Sequence, residues 1–113
     1  MPDATSYFER LDAHTLQPTH WTSGAWKETE QHFSPIGGLI VHEVERFVAA
    51  RGTDDGLVIA KVHYDILGVV KLVPMNVTVR TLRPGRTIEL LEADVTAGGR
   101  TVVVARIWRL APF

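Results

Sequence analysis

One long amphipathic helix constrains this chain more than any other feature, because its apolar face is too broad to be left without a sheet. Ser34-Pro35 reads as an N-cap followed by a proline at the first helical position. Ile36, Leu39, Ile40, Val44, Phe47 and Val48 then recur at helical spacing until Arg51-Gly52 stops the run. The predicted helix spans about Pro35 to Arg51. Those six side chains fall on a face roughly 180° wide, which leaves His42, Glu45 and Arg46 on the wet side. No second helix of comparable length is present to cover that face, and 113 residues at 45% hydrophobic suit one globular domain, residues 1–113, burying roughly 60–70% of its unfolded surface. The partner surface therefore has to be a sheet.

That sheet is written downstream of the helix. Val58 to Leu67 alternates, with Val58, Ala60, Val62, Tyr64 and Ile66 on one side and Ile59, Lys61, His63, Asp65 and Leu67 on the other. Met75 to Arg83, Thr87 to Thr96 and Arg100 to Leu110 are three further strands. The turns RPGR (Arg83 to Arg86) and AGGR (Ala97 to Arg100) are short enough to force antiparallel neighbours, so the last three strands form a meander. Strands this long imply a curved sheet. Upstream, Tyr7, Phe8 and Leu11 have the spacing of a short helical turn, Thr15 to Thr22 holds a short edge strand, and Trp21 to Phe33 is a loop carrying aromatic plugs. The expectation is an α+β chain in which a curved antiparallel sheet wraps one long central helix.

Charge and composition remove several functions. Twelve Lys plus Arg against thirteen Asp plus Glu give a net charge of -1 with no basic run, which argues against nucleic acid or an anionic membrane as a partner. The absence of cysteine excludes disulfides, thiol catalysis and cysteine-ligated zinc, and agrees with a cytoplasmic location. Neither an apolar run of about 18 residues nor a basic, then apolar, N-terminal stretch is visible, so neither a membrane span nor an export signal is expected. HEVER at His42 to Arg46 is not HExxH, since Arg46 takes the second ligand position, and no metal is expected. Ser6, Ser23 and Ser34 lack a GxSxG setting, and no glycine-rich phosphate loop follows a strand, so no cofactor is expected.

The runs QHFSPIGGLIVHEVER, VHYDIL and TLRPGRTIELLEADVTAGGRTVVVARIWRL, preceded by LQPTHWTSGAW, resemble the N-terminal hotdog unit of acyl-CoA thioesterase-like proteins, the thioesterase II group. The resemblance runs from about Leu16 to Leu110. It implies a single hotdog, equivalent to the N-terminal half of a double-hotdog thioesterase, that hydrolyses a fatty acyl-CoA as a homodimer or paired with a second hotdog unit. It also implies that the side chains orienting the hydrolytic water belong mainly to the C-terminal unit. The alternative is therefore a noncatalytic acyl-CoA-binding half. A cystatin-like or nuclear-transport-factor-like cone is the other architecture that wraps a sheet on a helix.

Thioester hydrolysis needs donors for a developing oxyanion, a group that activates water and an apolar path for the acyl chain. Gly37 and Gly38, read as part of the first helical turn, offer N–H groups and an unobstructed approach, or else close packing against a strand. Glu43, at the margin of the apolar face, is a candidate base if desolvated. Glu45 lies eight residues after Gly37, and a register on His32 moves the same slot to Val41. His63 and Asp65 share one strand face beside Lys61, and the resemblance places His63 toward the groove between units. His32 matches the family's histidine at the loop end and is a candidate substrate contact. Trp26, in the tryptophan loop, is another, with core or interface packing as its alternative, which is the role read for Trp108.

Overall fold

The computed structural model describes residues 6–24, 29–52 and 54–112. Six strands and one helix follow the order β1 (Phe8–Arg10), β2 (Thr15–Pro18), a 3-10 turn (His20–Thr22), α1 (Phe33–Ala49), β3 (Val58–Ile66), β4 (Met75–Arg83), β5 (Ile88–Ala97) and β6 (Arg100–Leu110). One antiparallel sheet runs β1-β2-β4-β5-β6-β3. The predicted meander is β4-β5-β6, and its β5–β6 turn places Gly98 and Gly99 at φ 59° and 76°, a backbone that side chains with a Cβ rarely adopt.

The helix buries Ile36, Leu39, Ile40 and Val44 against Met75 and Val77 of β4, Leu91, Ala93 and Val95 of β5, and Val103, Ala105 and Ile107 of β6. Ala93 pairs directly with Ala105. Two methyl groups at mid-sheet leave room for the large helix side chains where the sheet curls around α1.

Four expectations are corrected. The residues around Tyr7 and Phe8 form strand β1, not a helical turn; Asp12 closes the β1–β2 connection by accepting from the amides of His14 (2.9 Å) and Thr15 (2.7 Å). β2 is consequently not the edge, since β1 lies outside it. The helix starts at Phe33 with His32 as N-cap, so Pro35 is its third residue, a place where a missing N–H still costs nothing. Finally, a bulge between Ile59 and Lys61 breaks the alternation of β3. Ile59 turns inward with Val62 and Tyr64, and Val58 turns outward, half exposed.

Candidate functional site

The early start of α1 moves the glycine pair. Gly37 and Gly38 are the fifth and sixth helical residues, and the first-turn amides without an intrahelical acceptor are those of Phe33 and Ser34, since the His32 N–H donates to the Thr22 carbonyl (2.7 Å) and Pro35 has none. The two glycines then part company. Gly37 is buried, and a Cβ there would meet Phe33 at 3.3 Å and the Tyr64 hydroxyl at 3.4 Å. Tyr64 donates its O–H to the Gly37 carbonyl (3.0 Å) and meets the Phe33 ring edge-on at 4.9 Å. Burial pushes the Tyr64 phenol up, so it stays a donor through the neutral range. A Cβ on Gly38 would meet nothing within 4 Å.

Gly38 opens into a cleft of about 810 Å³ between α1 and the β1–β2 hairpin. His32, Ser34 and His42 face it from the helix side, Arg10 from β1, and Tyr7, Phe8 and Trp21 wall it with rings. Two predicted contacts, His32 and Gly38, thus share one cavity. Trp26 lies outside the described residues. Sequence reasoning does not single out His42 or Arg10 as site residues. One signal is available, because His42 follows Gly38 by one helical turn and so shares its face.

Glu43 is buried at 5% exposure, but not unpaired. Its Oε2 accepts from Arg10 (2.5 Å) and its Oε1 from Arg46 (3.1 Å). Both of its oxygens are thus already engaged by guanidinium groups. Glu45 is exposed on α1, as the wheel predicts, and Val41 is half-buried.

His63 and Asp65 meet, with Nε2 and Oδ1 3.2 Å apart, and both are exposed. They alternate with Tyr64, which reaches α1, so the pair lies on the opposite face of the sheet from the helix, the cleft and Glu43. Beside them on that outer face Glu92 is buried between Arg80 and Arg106, whose guanidiniums hold its carboxyl below the usual range. Trp108 is half-buried in the same surface, paired with Leu90 and Lys61. The structure therefore joins His63 to Asp65 and His32 to Gly38, and separates the two sets.

A further ion chain lies under the C-terminal end of α1. Arg109 donates to Glu89 (2.8 Å), to both oxygens of Asp55 (2.8 and 2.9 Å) and to the Leu57 carbonyl (3.0 Å), while Arg51 donates to Glu89 (2.7 Å). Both carboxylates of this chain, Glu89 and Asp55, accept from guanidinium groups, which fits a tie between helix and sheet. Among the described residues no three His, Asp or Glu side chains are placed to share a metal ion, and no helix is long and apolar enough to cross a membrane.

One helix held in the curve of a six-stranded antiparallel sheet defines a hotdog fold. The chain belongs to the acyl-CoA thioesterase N-terminal domain family, whose model matches residues 22–110. No curated protein is a significant match to the sequence. Among solved structures, a thioesterase from Thermus thermophilus complexed with coenzyme A and Zn superposes with a TM-score of 0.75 at 18% identity, over 88% of this chain and 82% of that one. A hypothetical thioesterase with coenzyme A from Streptococcus pneumoniae gives 0.74 at 17% identity, over 93% and 84%. A protein from Bacillus halodurans with CoA gives 0.72 at 14%, over 85% and 64%. Similarity at these identities is a similarity of fold, and the family match makes the domain thioesterase-like.

Proposed function

We propose that this chain binds a fatty acyl-CoA thioester at the N-terminal half of α1 and hydrolyses it as one half of a two-hotdog assembly, a homodimer or a pair with a second unit. The observation that carries this reading is the cleft in which His32, Ser34 and the bare backbone of Gly38 come together beside the first-turn amides of α1. An oxyanion is favoured by such amides and by the positive end of the helix dipole. Gly37, tied by Tyr64, keeps that turn in place. The whole of residues 1–113 acts as this one unit, in the cytoplasm.

Pairing is part of the proposal because β3 is an edge strand with no second strand beside it among the described residues. Ile66 (57%), Leu67 (57%) and Val69 (63%) stand exposed at its end, beside Phe33 and Ile36. A second reading, acyl-CoA binding without hydrolysis, is favoured by one observation: the His63–Asp65 pair faces away from α1.

Thiol release from short, medium and long acyl-CoAs, run alongside sedimentation over a range of concentrations, tests both. The expected result is turnover that follows the dimer fraction. Loss of turnover by about 10²–10⁴-fold in His63→Ala or Glu43→Gln identifies that residue as the one placing water. Calorimetric binding of acyl-CoA by a dimer that releases no thiol selects the noncatalytic reading.

A further inference from the structure

Arg10 is unusual in this fold because it is a cation facing a largely apolar cleft whose countercharge is shared. Its Nη2 donates to Glu43, and its Nη1 donates to the Ala13 carbonyl (3.0 Å) and, more distantly, to the Asp12 carbonyl (3.4 Å). Its Nε–H makes no hydrogen bond among the described residues. Glu43 also serves Arg46, so one buried carboxylate answers two guanidiniums. The neighbouring Asp12 carboxylate is turned into the β1–β2 connection, where backbone amides occupy it. The guanidinium is held at its Nη atoms, lines the cleft and has donor capacity left beyond these bonds.

Gly38 lines the same cleft as Arg10 with no side chain and open space before it, and Leu16 and Leu39 supply apolar surface. A site of this volume, apolar with a few convergent polar groups, is the usual form of a small-molecule pocket. We infer that the cleft between the β1–β2 hairpin and α1 binds an organic carboxylate, with Arg10 as its anchor and the rings of Tyr7, Phe8 and Trp21 along its apolar body. A guanidinium prefers a carboxylate to a neutral amide because the hydrogen bonds are charge-assisted and, at Arg, can be paired. The consequence for substrate class, which rests on the acyl thioester reading above, is that acyl groups ending in a carboxylate are preferred to plain alkyl chains of equal length.

Calorimetric titration of the full chain with hexanoate, adipate and phenylacetate, with hexanamide as the uncharged match, tests the site. The carboxylates should bind saturably, hexanamide about tenfold more weakly or less. Arg10→Gln should lose a similar factor. Because Arg10 also touches Glu43, a second variant guards against misfolding: Gly38→Leu adds a side chain into the open cleft without meeting an atom at its Cβ, and should abolish binding while the far-ultraviolet circular dichroism and melting cooperativity stay intact. Equal binding of hexanoate and hexanamide, or hexanoate binding undiminished in Gly38→Leu, overturns the inference. Acyl-CoA turnover in the absence of any hexanoate binding also overturns it, and leaves the thioester reading standing. Hexanoate binding that acyl-CoA does not displace upholds the carboxylate site and removes the acyl thioester from the cleft.

Discussion

Replacing Gly38 with alanine adds a methyl group in open space, inside a helix where glycine costs about 0.5–1 kcal/mol relative to alanine. The same change at Gly37 places the methyl at 3.3 Å from Phe33 and 3.4 Å from the Tyr64 hydroxyl. Urea unfolding should therefore show Gly38→Ala stabilised by roughly that amount and Gly37→Ala gaining nothing or losing stability, because strain and a disturbed Tyr64 hydrogen bond offset the helical gain. Equal gains at both positions would show that the Tyr64 contact is soft. The sequence marks both glycines as unusual for a helix interior, but it cannot tell them apart. Which one packs and which one opens is set by Tyr64 and the β1–β2 hairpin, one distant in sequence and the other legible only in its second strand, since the spacing of Tyr7, Phe8 and Leu11 suggests a helical turn. Glu43 is a similar case: its place at the margin of the apolar face is legible from spacing, whereas Arg10, the residue that pairs it, comes from 33 positions upstream.

At the scale of elements, the loop from α1 to β3 is fixed by Asp55, whose carboxyl is pulled from 3.8 to about 2, first by its hydrogen bonds to Arg109 and then by the Leu57 amide. A carboxyl with a depressed folded-state pKa contributes stability that is present above its unfolded value and lost as pH falls through the folded value. The stability gap between the parent and Asp55→Asn should accordingly be full above about pH 4 and close as pH falls toward about 2. Groups common to both proteins, Glu92 among them, cancel in that difference. A gap independent of pH over the same range would mean that the carboxylate charge plays no part. The elements most legible in sequence are those punctuated by local chemistry: α1 by its apolar spacing and Gly52, and the β5–β6 hairpin by Gly98-Gly99. Those missed have no local signature. Three residues of β1 cannot show a period, and nothing in VIAKVHYDIL marks Ala60 as the residue that bulges, since only the register against β6 decides it.

For the molecule as a whole, the exposed edge of β3 is the feature that most needs a partner. Ile66→Lys places a charge on that edge at a side chain 57% exposed, where it does little to the fold of one unit. Sedimentation should show the parent as a dimer and the variant displaced toward monomer, with unchanged circular dichroism. A parent that is monomeric at all concentrations would remove the homodimer and leave pairing with a different unit. The candidate site was legible only in pieces, because a sheet puts alternate residues on opposite surfaces: His63 and Asp65 are correctly read as sharing a face, yet which face that is depends on Tyr64 reaching α1.

The sheet order carries one more consequence, for synthesis of the chain. Among the described strands β3 pairs only with β6, the last strand of this unit, while β4, β5 and β6 close through tight turns onto one another. During translation, α1 and β3 leave the ribosome after the β1–β2 hairpin, which supplies Leu16 to the core, but before the meander that buries the rest of the helix face exists. They wait with their apolar residues uncovered until the meander has formed and Leu110 has emerged, so the assembly of this fold is delayed to its final strand, and that interval is when the nascent chain has most need of a chaperone.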